Sequence, residues 1–183
     1  MISGEMMLEH IRKRQSDRGY LDRDVEQEKL DRIAEAGRLA PSACNSQPWK
    51  FIIVNDPAIR KKVAAACSSK ELGFNKFIDQ PPVLMVIIRK KPKIISRIGG
   101  SIKDKDYSLI DIGTAAENIC LQAAAEGLGT CILGWFDEKE VKKILNVPGN
   151  KRAELVITIG YASKAQREKH RKDPSEIVSY NKY

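Results

Sequence analysis

The chain is poor in the residues and motifs that usually betray an active site. It has two histidines, His10 and His170, and four cysteines, Cys44, Cys67, Cys120 and Cys131, none in a CxxC pair. A zinc site wants thiolates or imidazoles at short spacing, so no metal is expected and the cysteines read as free, mostly buried thiols. No GxxxxGK[ST] loop, HExxH helix or GxSxG elbow is present. Gly127-Leu128-Gly129 looks like part of a dinucleotide fingerprint. That fingerprint follows a strand and opens a helix, whereas these glycines close a helix and lead into a strand, so they read as a helix C-cap.

Aromatic residues are also few, at 6%, and are not interleaved with Lys and Arg as stacking platforms for nucleic acid require. With no helix-turn-helix or RNA-binding signature either, no nucleic-acid partner is expected. No stretch approaches the ~18 uninterrupted apolar residues of a membrane helix. The N-terminus, MISGEMMLEHIRKRQS, lacks the apolar centre of a signal peptide. A cytoplasmic protein with no membrane partner is expected. No repeat or composition break marks a linker, so residues 1–183 read as a single domain, long enough to bury roughly 70% of its unfolded surface.

What the chain does have is positive charge. Against 24 Asp and Glu stand 32 Lys and Arg, a net charge of +8, which points to an anionic partner without identifying it. The cations concentrate in Arg12 to Arg18, Arg89 to Lys105 and Lys164 to Lys172. Any one cluster reads as a solvated face. Two clusters at opposite ends of the chain can converge on one anion if the fold brings them together.

Hydrophobic periodicity predicts a helix over 4–15 and a second one capped by Asp24 and ending near Pro41. It predicts strands at 50–54 and 83–88, the latter VLMVII, with a helix between them starting after Asn55-Asp56-Pro57 and ending near Lys70. Residues 89–105 read as a basic, mobile loop. The longest helix, 107–126, is Ala-rich and apolar over most of its circumference, so it is expected to be buried nearly all round and to form the dimer core. A strand at 131–133, a short helix at 137–145 and a strand at 155–159 follow. The fold class is α+β, a central mixed sheet of four or five strands wrapped by helices.

Two segments invite a chemical reading. Arg14-Gln15-Ser16-Asp17-Arg18 puts two guanidinium groups and a hydroxyl at a helix end, able to grip a phosphate; taken alone, a solvated helix end is the better explanation. The loop 40–49, APSACNSQPW (Ala40-Pro41-Ser42-Ala43-Cys44-Asn45-Ser46-Gln47-Pro48-Trp49), is pinned by two prolines. Its amides and hydroxyls can donate and accept hydrogen bonds to a ring such as a flavin's; the alternative is a polar turn with Trp49 as core filler.

The order of these features, RQSDR, PSACNSQPW, a long Ala-rich helix ending in GLGTCILGWFD, and a tail KHRKDPSEIV, resembles the FMN-dependent nitroreductase family from about Ile11 to Val178. The resemblance implies that Arg14, Gln15, Ser16 and Arg18 hold the FMN phosphate and the pyrimidine edge of the flavin. It implies that Pro41, Ser42, Ala43 and Asn45, with Gln47, reach the flavin from the partner subunit. Leu133 and Gly134 match the place where a backbone N–H meets flavin N5, Lys169 and Arg171 match the basic pair that closes on the phosphate, and Lys76 matches a lysine near the ring. Gln15 stands where many members carry a cation, and Leu133 where some carry an acid.

The resemblance further implies a homodimer with FMN at the subunit interface. Hydride passes from NAD(P)H to flavin N5, and then to a small-molecule electron acceptor, a nitroaromatic, quinone or related compound, in ping-pong order. The flavin carries that chemistry, so no side chain is expected to act as a catalytic acid, base or nucleophile. A cation near N1 and O2 favours reduction, a role given to Arg18 with Lys76 second. His170, between two cations, reads as exposed and structural. Alternatives are a specialised flavin enzyme of the same fold, either a reductive dehalogenase or a flavin-cleaving enzyme, a non-catalytic flavin sensor, and a basic nucleic-acid-binding module.

Overall fold

The computed structural model describes residues 2–69, 73–91 and 105–183. Most of the basic loop expected over 89–105 lies outside the described residues, and the helix expected to end near Lys70 ends at Cys67. Helix α1 runs over Gly4–Lys13, with the Ser3 hydroxyl accepting the Met6 N–H at its start. Helix α2 is Gln27–Arg38 and begins later than an Asp24 cap would place it. The cause is tertiary: Tyr161 donates to the Glu26 carboxylate and its ring lies 3.8 Å below the Arg23 guanidinium, holding residues 23–26 outside the helix. Asp56 caps α3 (Pro57–Cys67), whose N1 proline is already set at a helical φ.

Strands β1 (Trp49–Val54), β2 (Val83–Arg89), β3 (Gly129–Leu133) and β4 (Arg152–Gly160) form one sheet in the order β1-β2-β4-β3. All three strand pairings are antiparallel. The mixed character expected of the sheet reduces to one parallel bridge, Ser16 to Thr130, where the chain after α1 runs beside the β3 edge. Helices α4 (Tyr107–Ala125), α5 (Glu138–Ile144) and α6 (Pro174–Ile177) complete the set, each capped by an aspartate: Asp106, Asp137 and Asp173.

Alternation along β2 explains the architecture. Val83, Met85 and Ile87 pack with Leu30 and Ile33 of α2 and Ile112, Ala116 and Ile119 of α4. Leu84, Val86 and Ile88 pack on the other face with Val63 and Cys67 of α3 and Val141 of α5. A central strand covered by helices on both faces must be apolar at every position, which is why VLMVII reads as an unbroken run. Gly37 sets how closely α2 approaches α4: a Cβ there would lie 2.8 Å from Ile119 Cγ1.

The burial expected of α4 is only partly realised. It buries Ser108, Asp111, Ile112, Ala115, Ala116, Ile119, Cys120 and Ala123, but leaves Leu109 and Ile110 exposed. Among the described residues, nothing covers that part of the longest helix. Helix α1 buries no residue at all, although Met6, Met7, Leu8 and Ile11 are apolar. No helix among the described residues is long and apolar enough to cross a membrane.

The α2 and α4 ends are tied by charge. Glu126 receives Arg32 through two bonds of 2.7 and 2.8 Å and Gln122 through a third of 2.9 Å. These donors, Arg32 first, hold its carboxyl down to about 2. A carboxyl lowered on folding stabilises the native state above its ordinary pKa and loses that contribution as pH falls from the mid-fours toward 2. Because Arg32 is half exposed, Glu126→Gln is expected to cost only about 1 kcal/mol at neutral pH and less at pH 2, where the native carboxyl is about half protonated. Urea melts at the two pH values check it, and an equal loss at both would refute it.

Candidate functional site

The two basic clusters at the chain's ends meet. Arg12, Arg14, Arg167, Lys169 and Arg171 line one cleft of about 540 Å³, with Ile11, Gln166, Glu117 and Glu168. They converge because the chain after β4 turns back over α1. The Tyr20–Ala162 bridge starts the return, and Gln166 Nε2 donates to Arg12 O, Arg167 Nη2 to Ser16 O, and Lys169 Nζ to Ile11 O. Arg14 pairs with Glu117 of α4 at 3.3 Å, and Arg171 donates to His170 O. Five cations against two carboxylates leave the cleft strongly positive. Burial, then the neighbouring Arg14 and Arg171, lower the Lys169 ammonium below the ordinary lysine range. An anion placed there relieves that crowding. His170, as expected, is exposed.

From this cleft residues 14–18 run along β3 toward Leu133 and Gly134. The Asp17 N–H donates to Thr130 O at 2.8 Å, and the Ser16 hydroxyl and the Arg18 charge both act on the Cys131 thiol, whose pKa burial raises. Arg18 is exposed, Leu133 buried, and Gly134 exposed with open space where a Cβ would stand. Lys76, also exposed, is brought to the same end of β3 by its neighbours. Asn75 Nδ2 donates to Cys67 O and Trp135 O, and the Phe74 ring meets that of Trp135 at 5.2 Å. Gln15 is engaged within the chain. Its amide donates to Asp17 Oδ1 and accepts from Arg167 N–H, so both ends are occupied in fastening the tail.

The loop carrying Pro41, Ser42, Ala43, Asn45 and Gln47 does not join this cleft within the chain. It precedes β1, at the opposite edge of the sheet from β3. It is held under strain, with Cys44, Asn45 and Gln47 all left-handed at φ 54°, 50° and 47°. Non-glycine residues pay about 1–2 kcal/mol each for that conformation, so surrounding bonds must enforce it. Asp111 Oδ1 accepts the Ala43 N–H at 3.0 Å, Ser42 Oγ accepts the Gln47 N–H at 2.9 Å, and Gln47 Nε2 donates to Asn45 Oδ1 at 2.8 Å. The other Asp111 oxygen is buried and has no hydrogen-bond partner.

Sequence reasoning missed Arg167, Asn75 and Asp111. Arg167 lay inside a recognised basic run, but nothing local distinguished it from its neighbours. A left-handed Asn75 between Phe74 and Lys76 gave no turn signature. Asp111 sat in a helix read as apolar.

The donor set suits a flavin mononucleotide. A phosphate dianion matches the cation-lined cleft, and Gly134, just beyond β3, has open space where a side chain would stand. The chain matches the model of the nitroreductase family over residues 11–72 and 67–161. A candidate NADH dehydrogenase/NAD(P)H nitroreductase of Archaeoglobus fulgidus is 32% identical over 86% of this chain and 86% of its own length. The oxygen-insensitive NADPH nitroreductase of Helicobacter pylori strain 26695 is 25% identical over 83% and 85%. Among solved structures, an FMN-dependent nitroreductase from Clostridium difficile R20291 superposes with a TM-score of 0.78 at 28% identity, covering 97% of this chain and all of that one.

Proposed function

This chain belongs to the nitroreductase family, and on that premise we propose that it is an FMN-dependent enzyme in which NAD(P)H reduces nitroaromatic, quinone or related acceptors. The observation that carries the reading is the convergence of Arg14, Lys169 and Arg171, from opposite ends of the sequence, on one cleft. In this reading those three side chains, with Ser16 nearby, hold the phosphate. Arg18 and Lys76 supply positive charge at the ring's pyrimidine edge, and Leu133 and Gly134 line its reactive face. Bound there, FMN supplies the hydride-accepting and hydride-donating centre. The protein's part is to place that centre, favour its reduced form by nearby cations, and leave one face open.

One open face makes reductant and acceptor take turns. The expected result is ping-pong kinetics, parallel lines in double-reciprocal plots; intersecting lines with a demonstrable ternary complex would refute it. Yellow colour in the purified protein, and its anaerobic bleaching by NADPH or NADH, test the assignment as a whole.

The reading also requires a second copy of the chain. Pro41, Ser42, Ala43, Asn45 and Gln47 are rigidly presented away from the Arg14 cleft, and the exposed Leu109 and Ile110 of α4 and the unburied apolar side of α1 offer a self-complementary face. In the homodimer each protomer's loop serves its partner's flavin. Ile110→Lys is expected to weaken the dimer at least about tenfold, since a twofold interface meets each change twice. Sedimentation equilibrium measures this, and a wild-type protein that is monomeric at micromolar concentration would remove the dimer from the reading.

A further inference from the structure

We propose that a second cleft, bounded by Arg38, Asn45, Gln47, Lys50, Phe51 and Lys90, holds the phosphate-bearing part of the reduced nicotinamide dinucleotide. This rests on the function proposed above, and it assigns to the reductant a site distinct from the one that takes the flavin phosphate. The cleft has a volume of about 480 Å³ and is lined by three cations and, among the described residues, by no carboxylate.

Arg38 on its rim is already paired with Glu35, whereas its two lysines are not engaged. Among the described residues, Lys50 and Lys90 have side-chain partners of neither kind, hydrogen bond or ion pair, and both are exposed. The sheet register sets them together. Lys50 pairs with Ile88, and the ladder continues one step as the Lys90 N–H donates to Pro48 O at 2.8 Å. Lys90 thus stands two places beyond the partner of Lys50, a diagonal relation that sets both on the Ile88 face of the sheet with their backbones about 7–8 Å apart, while Phe51 and Arg38 border the cleft from the other face. Two like charges so placed repel, and a bound anion turns that repulsion into attraction.

Position then selects the anion. The cleft shares Asn45 and Gln47 with the strained loop proposed to reach the partner's flavin. A ligand bound here therefore lies one short, rigid loop away from the ring. None of Arg14, Lys169 and Arg171 lines it, so it is not another view of the flavin phosphate site. Of the two substrates, the reductant always carries a pyrophosphate, whereas a quinone or simple nitroaromatic carries no charge. A site made for anions therefore acts on the reductant. Phosphate groups reach Lys50 and Lys90 as point charges, while Arg38, already held by Glu35, adds field from the rim.

The test uses the flavin-loaded protein and the variants K50Q/K90Q and K50E/K90E, with NADPH, NADH and a phosphate-free reductant, N-methyl-dihydronicotinamide. Losing two charge-assisted contacts is expected to raise KM for NADPH and NADH about tenfold or more, with larger rises for the glutamates. Expected to stay constant are kcat, the FMN content, and both constants with the phosphate-free reductant. The rise of KM with ionic strength in the wild type should flatten in the variants. A larger shift for NADPH than for NADH places the 2′-phosphate in the cleft, and equal shifts place the pyrophosphate there; both support the proposal. Unchanged KM values in flavin-loaded variants would overturn it alone, as would an equal rise with the phosphate-free reductant. A wild-type protein that neither retains FMN nor oxidises NAD(P)H would overturn the function it rests on.

Discussion

Reversing two charges in the cation-lined cleft, Arg14→Glu with Lys169→Glu, is expected to yield a colourless protein that no longer retains FMN. In the proposed function each residue gives one charge-assisted hydrogen bond to a phosphate dianion, worth about 1.5–3 kcal/mol, so losing both weakens binding by roughly 10²–10⁴-fold before repulsion is counted. Arg14 also pairs with Glu117, so a structural cause must be separated from a chemical one. Riboflavin, which lacks the phosphate, does that: its affinity should hardly change in the variant. Equal losses for FMN and riboflavin would mean that the cleft supports the ring site mechanically and does not bind phosphate.

The lowered pKa of Lys169 adds a pH dependence to the same experiment. Crowding by burial, Arg14 and Arg171 disfavours its charged form, and a bound phosphate favours it. Binding therefore takes up a proton once pH rises past the lowered pKa, and FMN affinity should weaken through that window. In Lys169→Met this slope should flatten. Titration of FMN fluorescence against pH measures it, and an unaltered slope would assign the effect to another group.

The second large effect lies in the core, where α2 crosses α4. Ile119 is fully buried, and Ile119→Ala is expected to cost about 2–5 kcal/mol through lost burial and the cavity left behind. Gly37 lies against it, its absent Cβ 2.8 Å from Ile119 Cγ1 and 3.0 Å from Phe51 Cε2. In the wild type, Gly37→Ala must push these side chains aside, an overpacking cost of about 1–3 kcal/mol against a helix-propensity gain of about 1 kcal/mol. In the Ile119→Ala background most of the clash is gone and the propensity gain remains. Gly37→Ala should then change sign and become stabilising, a coupling that urea melts at matched protein and FMN concentrations can read. Additive effects would mean that Gly37 is not there for close helix approach.

These two experiments probe different levels of determination. Most elements were legible in the chain because they rest on short-range rules. Asp56-Pro57 starts α3 and Asp137 caps α5, while VLMVII can only be a strand covered on both faces. The family resemblance added the names of Arg14, Lys169 and the loop 41–47 as site residues. It could not say how each would be engaged. Gln15, which the resemblance gives to the cofactor, also bonds Asp17 and the distant Arg167, a contact that nothing local foretells. Asp24 looked like a helix cap, and contacts to Tyr161, 137 residues further on in sequence, moved the helix start to Gln27.

By itself, then, the amino-acid order determined the helices and strands, the apolar faces they bury and the excess of cations, because periodicity, capping and proline act within a few residues. Only the tertiary structure decided which cations share a cleft and which face one another across a strand pair. The sheet order β1-β2-β4-β3 sets β1 and β3 at opposite edges, and the tail's return over α1 brings Lys169 to Arg14. The physical reason is that electrostatic contacts depend on distance in space, and residues 155 positions apart acquire a distance only when the sheet has closed its register.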